Sequence, residues 1–291
     1  METVTIASIT DAPQVPHQNR LSDYFRLSTV PFWAIHAAAI ASIFVVGFSW
    51  SGLALAVGVY FARMVVVTAA YHRYFSHRSY KTSRAFQFVL ALGAQSAAQK
   101  GVLWWAAHHR FHHKYSDTQM DPHSVRTKGF WYAHVGWILS PNWNATDLSV
   151  VGDLAKYPEL RVLNRSSVAL LQALALAIAF LAIGGVHAFV WGFLVSTVML
   201  WHGSFSINSL SHLFGKRRYA TTDDSRNNWA LAVLTTGEGW HNNHHHYQSS
   251  ANQGFRWWEI DVTFYVLRLW ERLGLIWDLR RPPPESLNSP S

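Results

Sequence analysis

The residues in this sequence that could do chemistry are its histidines. The chain has 17 His among 291 residues, and most of them stand in short clusters. In His241-Asn-Asn-His244-His245 the imidazoles occupy positions i, i+3 and i+4, which lie on one face of a helix. Three imidazoles on one face can converge on a metal ion. This spacing predicts a metal-binding helix near the end of the chain.

A second cluster has related spacing. His109, His112 and His113 share one face of a predicted helix, whereas His108 is rotated by about 100° from His109. The same geometry separates His246 from the cluster that precedes it. We therefore predict that His108 and His246 are not metal ligands.

Two shorter pairs complete the pattern. His72 and His77 are five residues apart and do not share a face of an α-helix, so His77 is expected where the helix ends or bends. Asn208 and His212 are four residues apart and do share a face. Asn208 could therefore hold a water molecule on the metal that His212 binds.

Together these elements supply nine candidate imidazole ligands. A single metal takes about four to six ligands, so nine imply two metals, each with four or five His and at least one open position. The nine candidates are His72, His77, His109, His112, His113, His212, His241, His244 and His245.

The donor set also restricts the metal. Neutral imidazoles suit Zn, Cu, Fe or Ni, but a zinc hydrolase would need about three ligands and a carboxylate base. A dinuclear site with open positions suits iron and dioxygen, although zinc would also bind in over-expressed protein. We expect Asp117, Asp121 and Glu238 to orient the imidazoles; helix capping and turn formation are equally compatible with these acids.

The composition indicates a membrane protein. Half of the residues are hydrophobic, 15% are aromatic and 14% are charged, against roughly 25% charged residues in a typical soluble domain. There is no Cys, which excludes disulfides, thiolate nucleophiles and iron–sulfur ligation. Any metal must be held by imidazole, carboxylate and water.

Apolar runs in the sequence predict an all-α integral membrane protein. Four membrane-spanning helices in two hairpins are expected at about residues 31–50, 53–70, 167–184 and 188–207, with a helical cap that holds the metals. Ser51-Gly52 and the segment from Gly184 to His187 are the expected connectors. Arg63 lies inside the second run; it either snorkels or pairs near a helix end, or it acts near the substrate.

The basic residues set the predicted orientation. Residues 1–29 contain 2 Lys or Arg, residues 71–166 contain 12 and residues 210–291 contain 9, while the connectors contain none. The positive-inside rule places both termini and the His clusters on the cytoplasmic side, at the inner membrane of a bacterium or the endoplasmic reticulum of a eukaryote. The net charge of +8 then reflects orientation rather than nucleic-acid binding. We expect a mobile arm at 1–29, one domain over 30–275 and a disordered tail at 276–291.

The four elements resemble, in order and spacing, the histidine boxes of membrane fatty-acyl desaturases, and most closely those of the stearoyl-CoA (Δ9) acyl-CoA desaturases. The matching segments are His72-Arg-x-x-x-His77, His109-Arg-x-His-His113, Asn208-x-x-x-His212 and His241-Asn-x-His-His245. Flanking residues agree at Ser76-His-Arg-Ser-Tyr80, Asp121-Pro-His and His134-Val-Gly-Trp137. The resemblance covers roughly residues 30–275.

The resemblance implies an O2-dependent enzyme that inserts a cis double bond, at Δ9, into a saturated acyl chain carried by coenzyme A. One iron would take four His and a water on Asn208, and the other would take five His, with no catalytic residue beyond these ligands. The acyl chain would lie in a bent tunnel beside the irons. The matching tunnel residues are Gln99, Trp105 and Ser204, although Trp105 is equally suited to anchoring at the membrane surface.

Two departures concern the partners. Ala107-His108 stands where the animal enzymes have an Arg-Asp pair that helps to hold coenzyme A, so acyl carrier protein and a lipid ester remain open as carriers. The chain has no His-Pro-Gly-Gly haem motif. Electrons are therefore expected from a separate ferredoxin, or a b-type cytochrome with its reductase, docked on the basic face.

Two other functions remain open. One is a membrane hydroxylase or monooxygenase on a similar di-iron scaffold, and the other is a metal transporter. The nine-His count and the Asn208-x-x-x-His212 element favour desaturation. A transporter would place its ligands at mid-bilayer depth, whereas each cluster here is predicted at the cytoplasmic end of a span.

Overall fold

The computed structural model describes residues 20–287, and these residues are mostly helical. The α-helices are α1 Val30–Val46, α2 Trp50–Val66, α3 Arg84–Gln95, α4 Val102–Tyr115, α5 Val125–Lys128, α6 Trp137–Leu139, α7 Gly152–Ala155, α8 Pro158–Leu163, α9 Ser166–Ala188, α10 Ser196–Ser209, α11 Trp229–Leu234, α12 His241–His246, α13 Val262–Arg272 and α14 Pro284–Leu287. Segments of π-helix follow or precede them at Val67–Ser76, Tyr132–Gly136 and Phe189–Val195. Two short strands, β1 Lys81–Thr82 and β2 Ile276–Trp277, pair antiparallel.

Three helical segments among the described residues are long and apolar enough to cross a membrane. They are Leu27–Val46, Trp50–Ser76 and Ser166–His212. Large apolar side chains on them have no protein cover: Phe44 is 84% exposed and Ile183 is 88% exposed. Such faces are stable against lipid but not against water. The chain is therefore built as a membrane protein.

The first connector is not where the sequence predicts it. The chain turns at residues 47–49, and the predicted connector Ser51-Gly52 lies inside α2. Ser49 starts that helix, because its side chain accepts a hydrogen bond from the backbone N–H of Gly52 at 3.1 Å. A Cβ at Gly52 would stand 2.4 Å from the Trp191 indole. The glycine therefore serves close packing against the second apolar hairpin.

The segment Ser166–His212 doubles back on itself. Gly184 and Gly185 leave helical geometry, with φ +62° and ψ −160° at Gly185. Beyond them, Phe193 packs in one cluster with Leu176 and Phe180, which a straight helix would hold far away. The reversal lies in the predicted connector, and the number of four spans remains a prediction.

Arg63 is held inside the protein. Its side chain is buried, with 7% exposure, and one guanidinium nitrogen donates to Ser196 and Thr197 at 3.0 and 2.9 Å. Another donates to the carbonyl of Ser96. Of the two sequence interpretations, pairing near the end of α2 is the one that matches; the side chain does not snorkel.

The described parts of both predicted terminal segments contact the rest of the protein. Residues 20–29 of the predicted mobile arm form two 3-10 turns, and Arg26 donates to the carbonyl of Leu139. At the start of the segment predicted to be a disordered tail, Ile276 is buried and pairs with Thr82, and the main chain of Arg280 bonds to Ser79 and Ala251. Residues 1–19 and 288–291 lie outside the described part of the chain.

Replacing Gly185 by Ala should destabilise the second hairpin. Its backbone conformation is open essentially to glycine alone, so we expect the free energy of unfolding to fall by about 1–3 kcal/mol, measured by thermal denaturation in detergent. Gly58→Ala is the matched control, because Gly58 lies within α2 and an added Cβ meets open space. Equal melting temperatures for Gly185→Ala and Gly58→Ala would contradict the assignment of the reversal to Gly185.

Candidate metal centre

Five of the predicted ligands form one group. His72 lies in the π-helix that extends α2, His77 follows that π-helix, His109 and His113 lie on α4, and His244 lies on α12. One ring nitrogen of each lies within 4.8 Å of all the others. This first His group therefore joins three segments that are distant in sequence.

The π-helix explains the spacing of His72 and His77. Its hydrogen bonds run from residue i to residue i+5, and the backbone N–H of His77 donates to the carbonyl of His72 at 3.2 Å. The two rings stand 4.8 Å apart between centroids. As expected from the sequence, the helix ends at His77, but the wider helix is what brings both imidazoles to one side.

The other four predicted ligands form a second His group. His112, His212, His241 and His245 have ring nitrogens within 4.8 Å of one another, and all four residues are buried. Helices α4 and α12 each contribute to both groups. The rings of His113 and His245, one from each group, are 4.4 Å apart. The two His groups are thus neighbours in one continuous centre.

The geometry of both groups fits a bound metal. Adjacent Nε2 atoms are 2.8 Å apart between His77 and His109, and 3.1 Å apart between His212 and His241. Two nitrogens at right angles, each about 2.0–2.1 Å from a metal, would be about 3.0 Å apart. The Nε2 atoms of His112 and His245 are buried and have no hydrogen-bond partner among the described residues. The residues present therefore suit two metal ions.

Carboxylates fix the orientation of four of these imidazoles. The Nδ1–carboxylate distances are 2.5 Å for His72–Glu238, 2.9 Å for His112–Asp121, 2.8 Å for His212–Asp117 and 2.6 Å for His245–Asp223. An Nδ1–H that donates to a carboxylate leaves the Nε2 lone pair free to bind a metal. Each carboxylate thus directs a ligand atom towards its group.

Three of these acids were predicted from the sequence and Asp223 was missed. Asp117 and Asp121 follow the second His cluster closely, and Glu238 precedes the last cluster by three residues. Asp223 stands 22 residues before His245, in a loop without a repeating pattern. Only the fold brings it to its imidazole, so no spacing rule would have found it.

Burial keeps six of the nine candidate ligands neutral. Burial, followed by repulsion from the neighbouring imidazoles, lowers the pKa of His77, His109, His113, His241 and His244 well below the ordinary value. Burial also lowers the pKa of His245 to about 4, although Asp223 opposes the shift. His112 differs, because the lowering of its pKa by burial is outweighed by Asp121 together with Asp117 and Asp223, which raise it. Neutral rings are the form that binds metal.

The acids remain charged for a different reason. Burial alone would raise the pKa of Asp117, but its hydrogen bond and electrostatic interaction with His212 lower it to about 2. Burial of Glu238 is likewise outweighed by its electrostatic interactions with His72 and Arg73, which lower its pKa to about 2. Ionised carboxylates polarise the imidazoles and increase their affinity for a metal.

Arg73 holds Glu238 in place beside the first His group. Its guanidinium is fully buried and donates to Glu238 at 2.9 Å and to Asp261 at 2.9 Å. Asp261 also caps α13, since its carboxylate accepts from the backbone N–H of Phe264. The His72–Glu238 pair is therefore tied to the body of the protein by a buried ion network.

A narrow cavity of about 60 Å³ passes beside both His groups. Its lining includes Asn208 and the three predicted substrate residues, Gln99, Trp105 and Ser204. Four candidate metal ligands also line it: His72, His109, His112 and His241. Trp105 stacks between Tyr71 and His109, at 5.3 and 5.0 Å. Trp105 therefore packs against protein side chains, which does not match the alternative that it anchors the protein at the membrane surface.

The remaining described histidines make other contacts. His108 Nδ1 bonds to the carbonyl of Trp104 at 2.8 Å, and His246 bonds to the carbonyl of Ser286 and stacks on Tyr219. His123 approaches His112 and Asp121 closely enough to form a third possible metal group. The Asp121 carboxylate already accepts from His112 and from two backbone N–H groups, which is the geometry of a hydrogen-bonded turn.

We predict that Asp223→Asn removes metal selectively from the second His group. The amide preserves the shape of the side chain but removes the charge that polarises His245, and such changes lower metal affinity about 10- to 100-fold. Metal content after titration with a chelator, measured by mass spectrometry, should fall towards half. Asp224→Asn is the control, because Asp224 pairs with Arg126 at a more exposed position. Equal retention of metal by the two variants would contradict this role.

Comparison with known proteins shows which family the chain belongs to. The fatty acid desaturase family model matches residues 48–275. An acyl-CoA 5-desaturase of Anemone leveillei is 39% identical over 254 residues, which cover 85% of this chain and 77% of that protein. A probable chloroplastic lipid desaturase of Arabidopsis thaliana is 37% identical, covering 81% of this chain and 65% of that protein. The sn-1 stearoyl-lipid 9-desaturase of Synechocystis is 35% identical, covering 88% and 80%.

These relatives share the reaction class but differ in the carrier that their names give. Some are named for coenzyme A and others for a lipid as the acyl carrier. The match extends over most of the chain and includes every residue of the two His groups. On these grounds the chain belongs to the fatty acid desaturase family and is an oxidoreductase.

Proposed function

We propose that this protein is an O2-dependent di-iron desaturase that converts a saturated fatty acyl chain into its cis-Δ9 monounsaturated form. The observation that carries the proposal is the narrow cavity that passes beside both His groups. The first group would hold one iron, and the second group would hold the other, with a water on Asn208. The cavity would place two adjacent methylenes of the chain beside them.

The proposed reaction balances with an external reductant. A –CH2–CH2– unit, O2, two electrons and two protons give –CH=CH– and two molecules of water. When bound, the two irons would supply the oxidising power that removes hydrogen from an unactivated methylene. The protein residues provide position, because a small displacement of the reacting carbon changes the outcome between desaturation and hydroxylation.

The side chains around the cavity suit this positioning role. Trp105 is locked between two rings, so it offers a fixed apolar wall to an alkyl chain. Gln99 accepts from Ser204 at 3.3 Å, which ties α10 to the segment before α4. We propose these three residues as contacts to the substrate. The Δ9 position rests on the resemblance of the four histidine boxes and on relatives named as 9-desaturases.

We further propose four membrane spans with both termini on the cytoplasmic side. The turn at residues 47–49 and the reversal at Gly185 would each return the chain to the side from which it came. Lys and Arg are absent from both turns and abundant in the polar segments. This arrangement would leave both His groups at the cytoplasmic ends of the spans.

A separate electron donor would dock beside the first His group. That group is the less buried of the two, since His77, His109 and His113 are partly exposed. A surface cavity of about 340 Å³ reaches His77 and His113, and its rim includes Arg110 and Lys114. These cations suit an acidic one-electron carrier, such as a ferredoxin or a b-type cytochrome served by its reductase.

Expression in a host with a simple lipid profile tests the proposed reaction. Gas chromatography–mass spectrometry should detect a new cis-Δ9 fatty acid, and His113→Ala should reduce it to background because the first group loses a ligand. His246→Ala is the control and should retain the product, since His246 contacts Ser286 and Tyr219 instead. Hydroxylated chains without an alkene would indicate a hydroxylase. Metal uptake that depends on His113, with unchanged lipids, would indicate a transporter.

Charge reversal at Lys114 tests the donor site. We expect Lys114→Glu to slow reduction by an acidic ferredoxin about ten-fold at low ionic strength, and the difference should disappear at high salt. Metal content should stay unchanged. Lys216→Glu is the matched control, because Lys216 is exposed but lines a different cavity. Equal effects of the two substitutions would exclude docking at Lys114.

A further inference from the structure

A second, larger cavity lies next to the one at the metal centre. It measures about 350 Å³ and shares Gln99, Ile138 and Phe205 with the narrow cavity. These three side chains therefore stand at the junction between the two spaces. A chain that lies beside the His groups would reach the larger cavity by passing this junction.

The larger cavity opens between two lipid-facing helices. Phe32 and Ile35 of α1 form one side, and Ala169, Leu170 and Ala173 of α9 form the other. Both helices belong to segments that are apolar enough to cross a membrane. Leu170 is 49% exposed at this edge. The mouth of the cavity thus faces the region that the bilayer would occupy.

One end of this mouth carries positive charge without a carboxylate partner. Lys100 lines the cavity and donates to the side-chain oxygen of Asn144 at 3.0 Å. Arg26 contacts the carbonyl of Leu139, another lining residue. Within residues 20–287 neither cation forms an ion pair with an acid. Burial, and then repulsion from Arg26, lowers the pKa of Lys100, so an anion placed between them would be stabilised by both.

The junction also contains an unused hydrogen-bond donor. Gln99 is 3% exposed, and its amide nitrogen is buried without a partner among the described residues. Its amide oxygen is already engaged by Ser204. A buried donor of this kind is costly unless a ligand supplies an acceptor. An ester carbonyl at the entrance to the narrow cavity would do so.

We propose that the acyl chain enters sideways from the bilayer as part of a diacyl phospholipid, with its phosphate against Lys100 and Arg26. This inference rests on the proposed desaturase function and specifies its substrate. A two-chain lipid needs an opening towards the membrane, because its second chain must stay there. A coenzyme A thioester has one chain and a large polar head, for which the apolar wall of α1 and α9 offers no contact.

Photocrosslinking tests binding without relying on turnover. The iron-loaded full chain is placed in nanodiscs that contain phosphatidylglycerol with a diazirine at mid-chain, and labelled peptides are identified by mass spectrometry. We expect labelling of the peptide that contains Phe205, and loss of that labelling in Ala173→Trp, which fills the mouth. Leu171→Trp is the matched control, since Leu171 is 63% exposed and does not line the cavity. Absence of labelling at Phe205, or equal labelling of the two Trp variants, would overturn the proposal.

A charge variant covers the case in which Ala173→Trp fails to fold. Lys100→Met should lower labelling by phosphatidylglycerol but not by a diacylglycerol with the same photoreactive chain, and Lys100→Arg should restore it. Equal labelling of Lys100→Met by both lipids, at the level of the parent protein, would overturn the assignment of the phosphate site.

Activity in cells separates this proposal from the proposed function. The host is one that cannot re-activate free fatty acids, and its lipids are labelled before the protein is expressed. Two cultures are then compared. Fatty acid synthesis is blocked in one and left active in the other, and expression is induced in both. We expect alkene in the pre-formed lipids. Alkene that appears only in the unblocked culture, in newly made chains, would overturn the lipid-linked substrate while the desaturase function stands. Absence of alkene from both cultures would overturn the proposed function itself.

Discussion

The structure depends on nine imidazoles that turn their nitrogen atoms towards one another inside the protein. Such an arrangement is repulsive unless each ring is neutral, correctly oriented and supplied with a cation. Burial favours neutrality in six of the rings, and Glu238, Asp117, Asp121 and Asp223 provide orientation for four of the rings through Nδ1. The distances near 3 Å between adjacent Nε2 atoms are those of neighbouring ligands on one metal. The fold can be understood as the means of holding these groups in place.

A small number of helices position the nine imidazoles, and two of these helices contribute to both His groups. Helix α4 and helix α12 each supply ligands to both His groups, so the two groups cannot move independently. The π-helix after α2 brings His72 and His77 to the same centre directly from an apolar segment. Arg73, one residue beyond His72, forms buried ion pairs with Glu238 and Asp261 and holds both carboxylates in place. Rigid support of this kind is what a reaction that depends on position requires.

Spacing within one helix was enough to predict which imidazoles share a face. The candidate ligands at 109, 112 and 113 and at 241, 244 and 245 follow from helical geometry alone, and Asp117, Asp121 and Glu238 lie close to them in the chain. Asp223 could not be found, because its contact with His245 is made by a loop. The turn at residues 47–49 was missed because Gly52 looks like a turn residue but serves packing against Trp191. The pairing of Ile276 and Trp277 with β1 could not be predicted, because no local pattern reports a contact between segments so far apart in the chain.

The cavity proposed for the acyl chain and the cavity proposed for electron-donor docking have different linings, and this difference has a physical reason. An electron-donor protein is water-soluble and charged, so the route of the electrons must start at a polar rim such as that of Arg110 and Lys114. An alkyl chain is most stable in lipid, so its route must start between apolar helices such as α1 and α9. The partly exposed first His group faces the polar rim, and the buried second group has no member on it. Separate routes would let electrons reach the centre while the acyl chain fills the cavity and excludes water from it.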